Sequence, residues 1–373
     1  MKLALSRDDL VRALGGLNRV VEKRNTIPIL SHIHLRAGPD GLHLTATDLD
    51  LQARIRVDAE VEQEGALTLP AGVVADYAKR LPDKSRVSLD ATGGTGSAVL
   101  RAGRSRCTLG TLSPGDFPDL EAGDHEWSWS LPGQDLTRLL AQVEFAISTE
   151  ETRYYLNGIF LHALVFDGSV RLRAVATDGH RLGLAEIACP AGAESLSGII
   201  VPRKAVAELK RIGEAAGAEP VGFRASRAKI RVEGAGWTLV SKLIDGTFPD
   251  YQRVIPTGND KIATFDTKAL ARAIERVATV ATERGRAVRL DLADGNLTLA
   301  VKDPNAGSAL EELDCSYDAP AMGVGLNGRY AGDILSALAS DTVELALADP
   351  GAPMIWRTPT DPSRLYVLMP MRV

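Results

Sequence analysis

The chain of 373 residues has only three cysteines, Cys107, Cys189 and Cys315. They are odd in number, far apart and outside any CxxC spacing, which argues against a disulfide framework or a thiolate metal site and for buried free thiols in a reducing compartment. No apolar run reaches the ~18 residues that a membrane span needs. The first residues hold a single Lys2 and no apolar run before Arg7, Asp8 and Asp9, so no signal peptide is expected. Six histidines form no HxxxH pair, and no GxxxxGK(S/T) occurs, which removes the familiar helix-borne zinc and nucleotide sites. No metal or cofactor is expected. With 45% apolar and 24% charged residues, nothing suggests disorder.

What the chain does have is one pattern written three times. Leu5, Leu10, Leu14, Leu17 and Val21 reappear in step as Leu131, Leu136, Leu140, Val143 and Ile147, and again as Phe265, Leu270, Ile274, Val277 and Ala281. Each run reads as a short strand entering an amphipathic helix. Copies spaced this widely are too long for a solenoid and suit domains. Leu30, Ile33 and Leu35 recur as Leu156, Ile159 and Leu161; Asp48 recurs as Asp178 and Asp303, a position suited to a turn. Leu112, Gly115 and Phe117-Pro118-Asp119 recur as Leu243, Gly246 and Phe248-Pro249-Asp250 at one constant offset, and Pro370 takes the proline's place in the last copy. A second helix follows Leu69-Pro70, with Val73, Val74 and Tyr77 on its apolar side, then Val201-Pro202, then Asn327. Each copy is therefore an α+β domain with two helices, and the expected limits are 1–126, 127–256 and 257–373.

Charge is unevenly spread. The first helix is expected to carry Arg7, Arg12, Arg19, Lys23 and Arg24, the helix after Pro202 carries Arg203, Lys204, Lys210 and Arg211, and the third-copy helix carries Lys268, Arg272 and Arg276, although the whole chain is -5. Basic helices on an acidic body point to one positive face aimed at a polyanion. Helices on the inside of a curved array, spaced about 9 Å apart, give six helices a lumen of roughly 7 Å once about 10 Å of helix thickness is removed. Twelve give roughly 24 Å, enough for a hydrated duplex, which favours two chains joined head to tail.

The segments RYYLNGIFLH (Arg153 to His162), VATDGHRL (Val175 to Leu182), VPRKAVAEL (Val201 to Leu209), SKLIDGTFPDYQRVIP (Ser241 to Pro256) and the terminal MPMRV resemble the beta-subunit family of bacterial DNA polymerase III, the sliding clamps. The resemblance implies three tandem DNA-clamp domains, helices on the inner face and sheets outside, forming half of a six-domain homodimeric ring. It implies a cytoplasmic, non-catalytic subunit of the polymerase holoenzyme that encircles double-stranded DNA without sequence specificity. Its implied partners are the replicative polymerase's catalytic subunit, an ATP-driven clamp loader, and other polymerases and repair proteins bound through short peptide motifs.

Carried over by matching motifs, a client-peptide pocket would be walled by Leu156, by Thr177, Gly179, His180, Arg181 and Leu182, and by Pro249, Arg253 and Val254. Asn327, Tyr330 and Pro353 would join them, with Val367, Leu368, Met369, Pro370, Met371 and Arg372. Apolar Leu, Val, Pro and Met suit a Leu or Phe anchor, and Arg181 and Arg253 would orient the peptide. For DNA the likeness points to Arg24, to the loop of Arg153, Tyr154 and Tyr155, and to Arg203 and Lys204. At the ring seam it points to Cys107, where relatives carry an aromatic, and to Thr279 with Val280. Two other readings compete. Asp178, His180 and Arg181 could be an acid/base or metal cluster, though no second carboxylate pair or activated nucleophile lies at useful spacing. Alternatively, basic helices could grip DNA through phosphate contacts alone, with steep salt dependence.

Overall fold

The computed structural model describes residues 1–22, 26–94, 96–120, 123–281 and 287–372. The element order repeats three times. The first run is β1 (Lys2–Ser6), α1 (Arg7–Leu17), β2 (His32–Gly38), β3 (Gly41–Thr47), β4 (Leu51–Val57), β5 (Glu60–Gln63), β6 (Gly65–Pro70), α2 (Ala71–Arg80), β7 (Arg86–Asp90), β8 (Ser97–Ala102) and β9 (Ser105–Gly110). The second is β10 (Trp127–Pro132), α3 (Gly133–Ala141), β11 (Gly158–Phe166), β12 (Ser169–Thr177), β13 (Arg181–Ala188), β14 (Ile199–Pro202), α4 (Arg203–Ala216), β15 (Pro220–Ala225), β16 (Lys229–Gly234) and β17 (Trp237–Lys242). The third is β18 (Lys261–Asp266), α5 (Thr267–Ala278), β19 (Ala287–Ala293), β20 (Asn296–Asp303), β21 (Gly307–Asp314), β22 (Met322–Asn327), α6 (Gly328–Leu338), β23 (Thr342–Leu347), β24 (Met354–Thr358) and β25 (Asp361–Leu368).

Local chemistry explains the elements. Ser6 and Asp266 cap α1 and α5 by accepting from the amides of Asp8 and Ala269, and Asn327 caps α6 by accepting from Arg329 and Tyr330. The repeated apolar positions from Leu5 to Leu17, Leu131 to Ile147 and Phe265 to Val277 are buried. Asp48, Asp178 and Asp303 each make the same turn: one carboxylate oxygen accepts the amides two and three residues on. That shared role answers the acid/base alternative for Asp178.

Two expectations need correcting. Helix α1 stops at Leu17, so Arg19 lies beyond it, while Lys23 and Arg24 fall outside the described residues. On α2 the buried face is Ala71, Val74, Ala75 and Ala78, a helical i, i+3, i+4, i+7 stripe, which leaves Val73 53% exposed.

The chain forms two compact units, Met1–Gly133 with Arg211–Leu243, and Gln134–Lys210 with Ile244–Val373. The first holds a sheet ordered β5-β1-β7-β8-β9 and another ordered β10-β15-β16-β17-β4-β3-β2-β6. The second holds β14-β11-β12-β13-β25-β24-β23-β18 and β21-β20-β19-β22. Each eight-stranded sheet is thus shared by two consecutive copies. Last strand β17 of the second copy pairs antiparallel with β4 of the first, Ser241 opposite Leu51 and Trp237 opposite Ile55. Last strand β25 of the third pairs in the same way with β13 of the second, Leu368 opposite Arg181. Among the described residues, β9 and β21 are hydrogen-bonded to a neighbour on one side only.

Adjacent glycines in α1 give opposite predictions. A Cβ on Gly15 meets nothing within 4 Å, whereas one on Gly16 would clash with the Trp237 ring. Gly15→Ala should stabilise the protein by about 0.5–1 kcal/mol through helix propensity, and Gly16→Ala should destabilise it by about 1–3 kcal/mol through overpacking. Urea unfolding of the two variants checks the sign; equal effects would contradict the packing.

Candidate functional site

Every residue in the expected peptide pocket lies in the second unit. The β13–β25 register is what assembles it: Arg181 stands opposite Leu368, Leu182 opposite Val367, and the Met369 amide donates to the His180 carbonyl at 2.9 Å. Leu156, Leu182 and Val367 are buried in one apolar cluster with Phe248 and Tyr251, so residues from three separate motifs share a floor. Above it Val254 is 50% and Met369 40% exposed, with His180, Pro249 and Arg253 also at the surface. Leu368 is buried in the adjoining third-copy core, Pro353 precedes Met354 opposite Leu368, and the Met371 amide donates to the Gly325 carbonyl. Pro370 is half-buried and Arg372 exposed. Thr177 is occupied by the turn, its hydroxyl donating to the Arg181 carbonyl and accepting from the Gly179 amide. Arg253 pairs with Asp250 at 2.9 Å.

Arg181, expected to orient a peptide, is tied into the scaffold. Its Nε donates to Asp178 at 3.0 Å, Nη1 to Asp333 at 2.6 Å and Nη2 to the Phe145 carbonyl at 2.6 Å, so three of five donors are committed to the scaffold. The guanidinium also lies 4.1 Å from the Tyr330 ring centroid and 5.1 Å from that of Phe145. Asn327, expected as a wall, caps the helix that presents Tyr330, whose ring lies beside His180 at 6.5 Å. The reading from sequence missed Asp333 and Phe145, because nothing marks a residue that meets its partner only through tertiary pairing.

A buried polar network underlies the same floor. Arg173 donates twice to Glu186, at 2.9 and 2.7 Å, and once to the Tyr251 hydroxyl at 3.2 Å; that hydroxyl lies 3.0 Å from His162 Nε2. The Tyr251 hydroxyl accepts from Arg173, and the direction of its bond with His162 follows the imidazole tautomer. Burial, with the Arg173 charge acting in the same direction, holds the His162 imidazole down at about 4. Tyr251 opens the turn Tyr251–Val254 that carries Arg253 and Val254, so the network positions one wall of the pocket.

Of the residues expected at DNA, Arg153 and Tyr155 are half-buried and Tyr154 is 53% exposed, all on the short helical segment Glu151–Leu156, which kinks at Arg153. Arg153 pairs with Glu150 at 2.8 Å and packs over Gly179, where an added Cβ would meet Nη1 at 2.5 Å. It therefore borders the peptide-pocket turn. Arg203 is exposed at the start of α4 and Lys204 half-buried; Arg24 lies outside the described residues. At the expected seam, Cys107 is half-buried on β9, Thr279 caps α5 with its hydroxyl on the Glu275 carbonyl, and Val280 packs on the third-copy core.

Models of the DNA polymerase III beta subunit match three consecutive stretches: the N-terminal domain over residues 1–121, the central domain over 130–250 and the C-terminal domain over 252–372. The beta sliding clamp of Caulobacter vibrioides (strain NA1000 / CB15N) is 45% identical over 373 residues, 100% of each chain. A crystal structure of the C. crescentus beta sliding clamp with polyethylene glycol bound has a TM-score of 0.97 at 45% identity, covering 100% of this chain and 99% of that one. The sliding clamp of Bartonella birtlesii bound to griselimycin has a TM-score of 0.96 at 40% identity, covering 100% of both.

The network predicts a pH dependence. His162 titrates lower when folded than its free value of about 6.5, so its stabilising contribution is complete above that value. Stability falls as pH drops through the window toward 4, where the unfolded chain takes a proton that the native imidazole refuses. Between pH 7 and pH 5 the wild type should lose about 2 kcal/mol more than His162→Gln. Urea unfolding at both pH values measures this, and parallel losses would contradict it.

Proposed function

The chain belongs to the DNA polymerase III beta-subunit family of sliding clamps, and from that premise we propose that two copies join head to tail as a homodimeric ring around duplex DNA. It is a non-catalytic processivity factor: the polymerising chemistry belongs to the partner it tethers. We take the three clamp domains as 1–126, 127–256 and 257–373.

One observation carries the ring. At both internal junctions the third strand of a middle sheet pairs with the last strand of the next copy, β4 with β17 and β13 with β25. The equivalent strands left over are β21 and β9, each at an edge of its own sheet with one side unpaired among the described residues. Their edges are complementary, with exposed Arg104 and Arg106 at β9 against Glu312 and Asp314 on β21, where Leu310 is 67% exposed. A strand edge left open with an apolar residue on it is unfavourable in a monomer, and pairing β21 with β9 of a second chain removes it twice per ring. Cys107 sits in the middle of that edge and Thr279 with Val280 near the end of α5, beside the strand it would join.

The ring holds DNA without reading it, through phosphate contacts from Arg24, Arg153, Tyr154, Tyr155, Arg203 and Lys204. Client peptides from the replicative polymerase, from other polymerases and repair proteins, and from an ATP-driven clamp loader dock an apolar anchor over Leu156, Leu182 and Val367. Arg253 and the remaining donors of Arg181 orient them. No helix among the described residues is long and apolar enough to cross a membrane, and the working compartment is the cytoplasm, where the DNA is.

Retention tests the topology. Loaded onto nicked circular DNA, the protein should stay through a salt wash and run off once the circle is cut; equal retention on circle and linear DNA would contradict a ring. On the same circles, truncation after Leu368 should leave the ring in place and abolish polymerase stimulation. Undiminished stimulation would refute the pocket.

A further inference from the structure

Away from these surfaces, the solvent face of the first unit's eight-stranded sheet collects arginine. Alternation sends Ile33, Leu35, Leu44, Ala53, Ile55 and Leu239 into the core and the intervening residues outward. His34, Thr45, Arg54 and Thr238 stand opposite one another in a row across β2, β3, β4 and β17. Arg36, His43 and Arg56 form the next row. With Asp119 they line a hollow of about 410 Å³. A second hollow shares Arg54, Asp119 and Thr238 and reaches Arg231 on β16.

The charge is only partly offset. Arg36 pairs with no carboxylate among the described residues. Arg54 is 3.6 Å from Asp119, whose carboxylate also accepts from Gln52 at 2.7 Å, and Arg56 leans on Asp58, which is 89% exposed. His34, stacked on Phe117 at 5.2 Å, is held below the usual imidazole range by burial and then by Arg54 and Arg36, a sign of positive potential at the hollow's floor.

Spacing selects the ligand. The cationic columns on β2, β4 and β16 are each two strands apart, about 9.6 Å, which an extended peptide rising about 3.3 Å per residue spans in three residues. Asp119 stands against Arg54 and Gln52 of β4, and Glu233 stands on β16 in row with Thr238 and Arg54, 2.7 Å from Arg231 Nε. These carboxylates would repel a continuous phosphate backbone, with its charge every ~1.7 Å of duplex, yet leave room for spaced acids. The hollow also offers no open aromatic platform of the kind on which single strands stack, since His34 is already closed on Phe117. We propose that this face docks an acidic partner segment, an extended peptide with carboxylates at every third residue held by Arg36, Arg54, Arg56 and Arg231. The forked guanidinium suits carboxylate recognition.

Fluorescence anisotropy with a labelled Gly/Ser peptide carrying glutamate at every third residue tests this on the full chain. The same peptide with glutamine, and an oligo-dT strand, serve as alternatives. The glutamate peptide should bind, weaken with salt, and bind Arg36→Glu/Arg56→Glu about tenfold or more weakly. Should charge reversal disturb folding by circular dichroism, the milder Arg36→Gln/Arg56→Gln protein takes its place in the same titration. On the wild type, the peptide should raise the His34 titration midpoint by NMR. Equal binding of the glutamine peptide, equal binding by a folded variant, an unmoved His34, or displacement by tighter-binding oligo-dT through the same arginines would each overturn the proposal.

Discussion

The architecture depends on one repeated interaction, the antiparallel pairing of a middle-sheet strand in one copy with the closing strand of the next. It welds β4 to β17 and β13 to β25 across consecutive copies. Sheet hydrogen bonds have fixed geometry and register, so this pairing does more than join domains. It sets Leu182 against Val367 and Met369 against His180, which brings the proposed peptide site together from segments nearly two hundred residues apart. Used twice inside the chain, the same rule leaves one strand of each type over, β21 and β9, and the proposed dimer pairs them between two copies.

Around that site the protein places charge with care. The Arg181 guanidinium ties a turn of the second copy to Asp333 on a helix of the third, while stacking on Tyr330. Below it, Arg173, Glu186, Tyr251 and neutral His162 form a buried network with its hydrogen bonds made. Such a network is costly if any member is lost, and it fixes the turn carrying Val254 more firmly than apolar packing alone would. The positions left free to move are the exposed ones, Met369 and Val254, which suit an adaptable cleft.

Much of this was legible in the residues. The threefold pattern from Leu5, Leu131 and Phe265, the turn aspartates and the repeated Phe-Pro-Asp define copies and faces, because period and turn chemistry are local properties. Junction pairing was not legible: alternation in β4 or β17 says which face is buried and nothing about which strand lies alongside. The same limit hid Asp333 behind Arg181 and hid the basic face of Arg36, Arg54 and Arg56, which exists only once β2 and β4 are registered on β3. The end of α1 was overrun because both basic and apolar residues continue past it, Val20 being fully buried although the helix stops at Leu17.

Carried over from the first junction, the pairing also specifies a closing register. Pairing begins three residues past the turn aspartate, at Leu51 and Arg181, which for Asp303 is Ala306; Gly110 corresponds to Ser241 at the offset relating Leu112 to Leu243. Cys107 would then face Ala309 of the second chain. The most direct measurement is oxidation of Ala309→Cys, read as covalent dimer on a non-reducing gel with Ala309→Cys/Cys107→Ser as control. The predicted result is a cross-linked dimer in the single variant, abolished in the control, because opposed antiparallel residues fall within disulfide reach. No cross-link at concentrations where the protein is dimeric, or one that survives loss of Cys107, would contradict it.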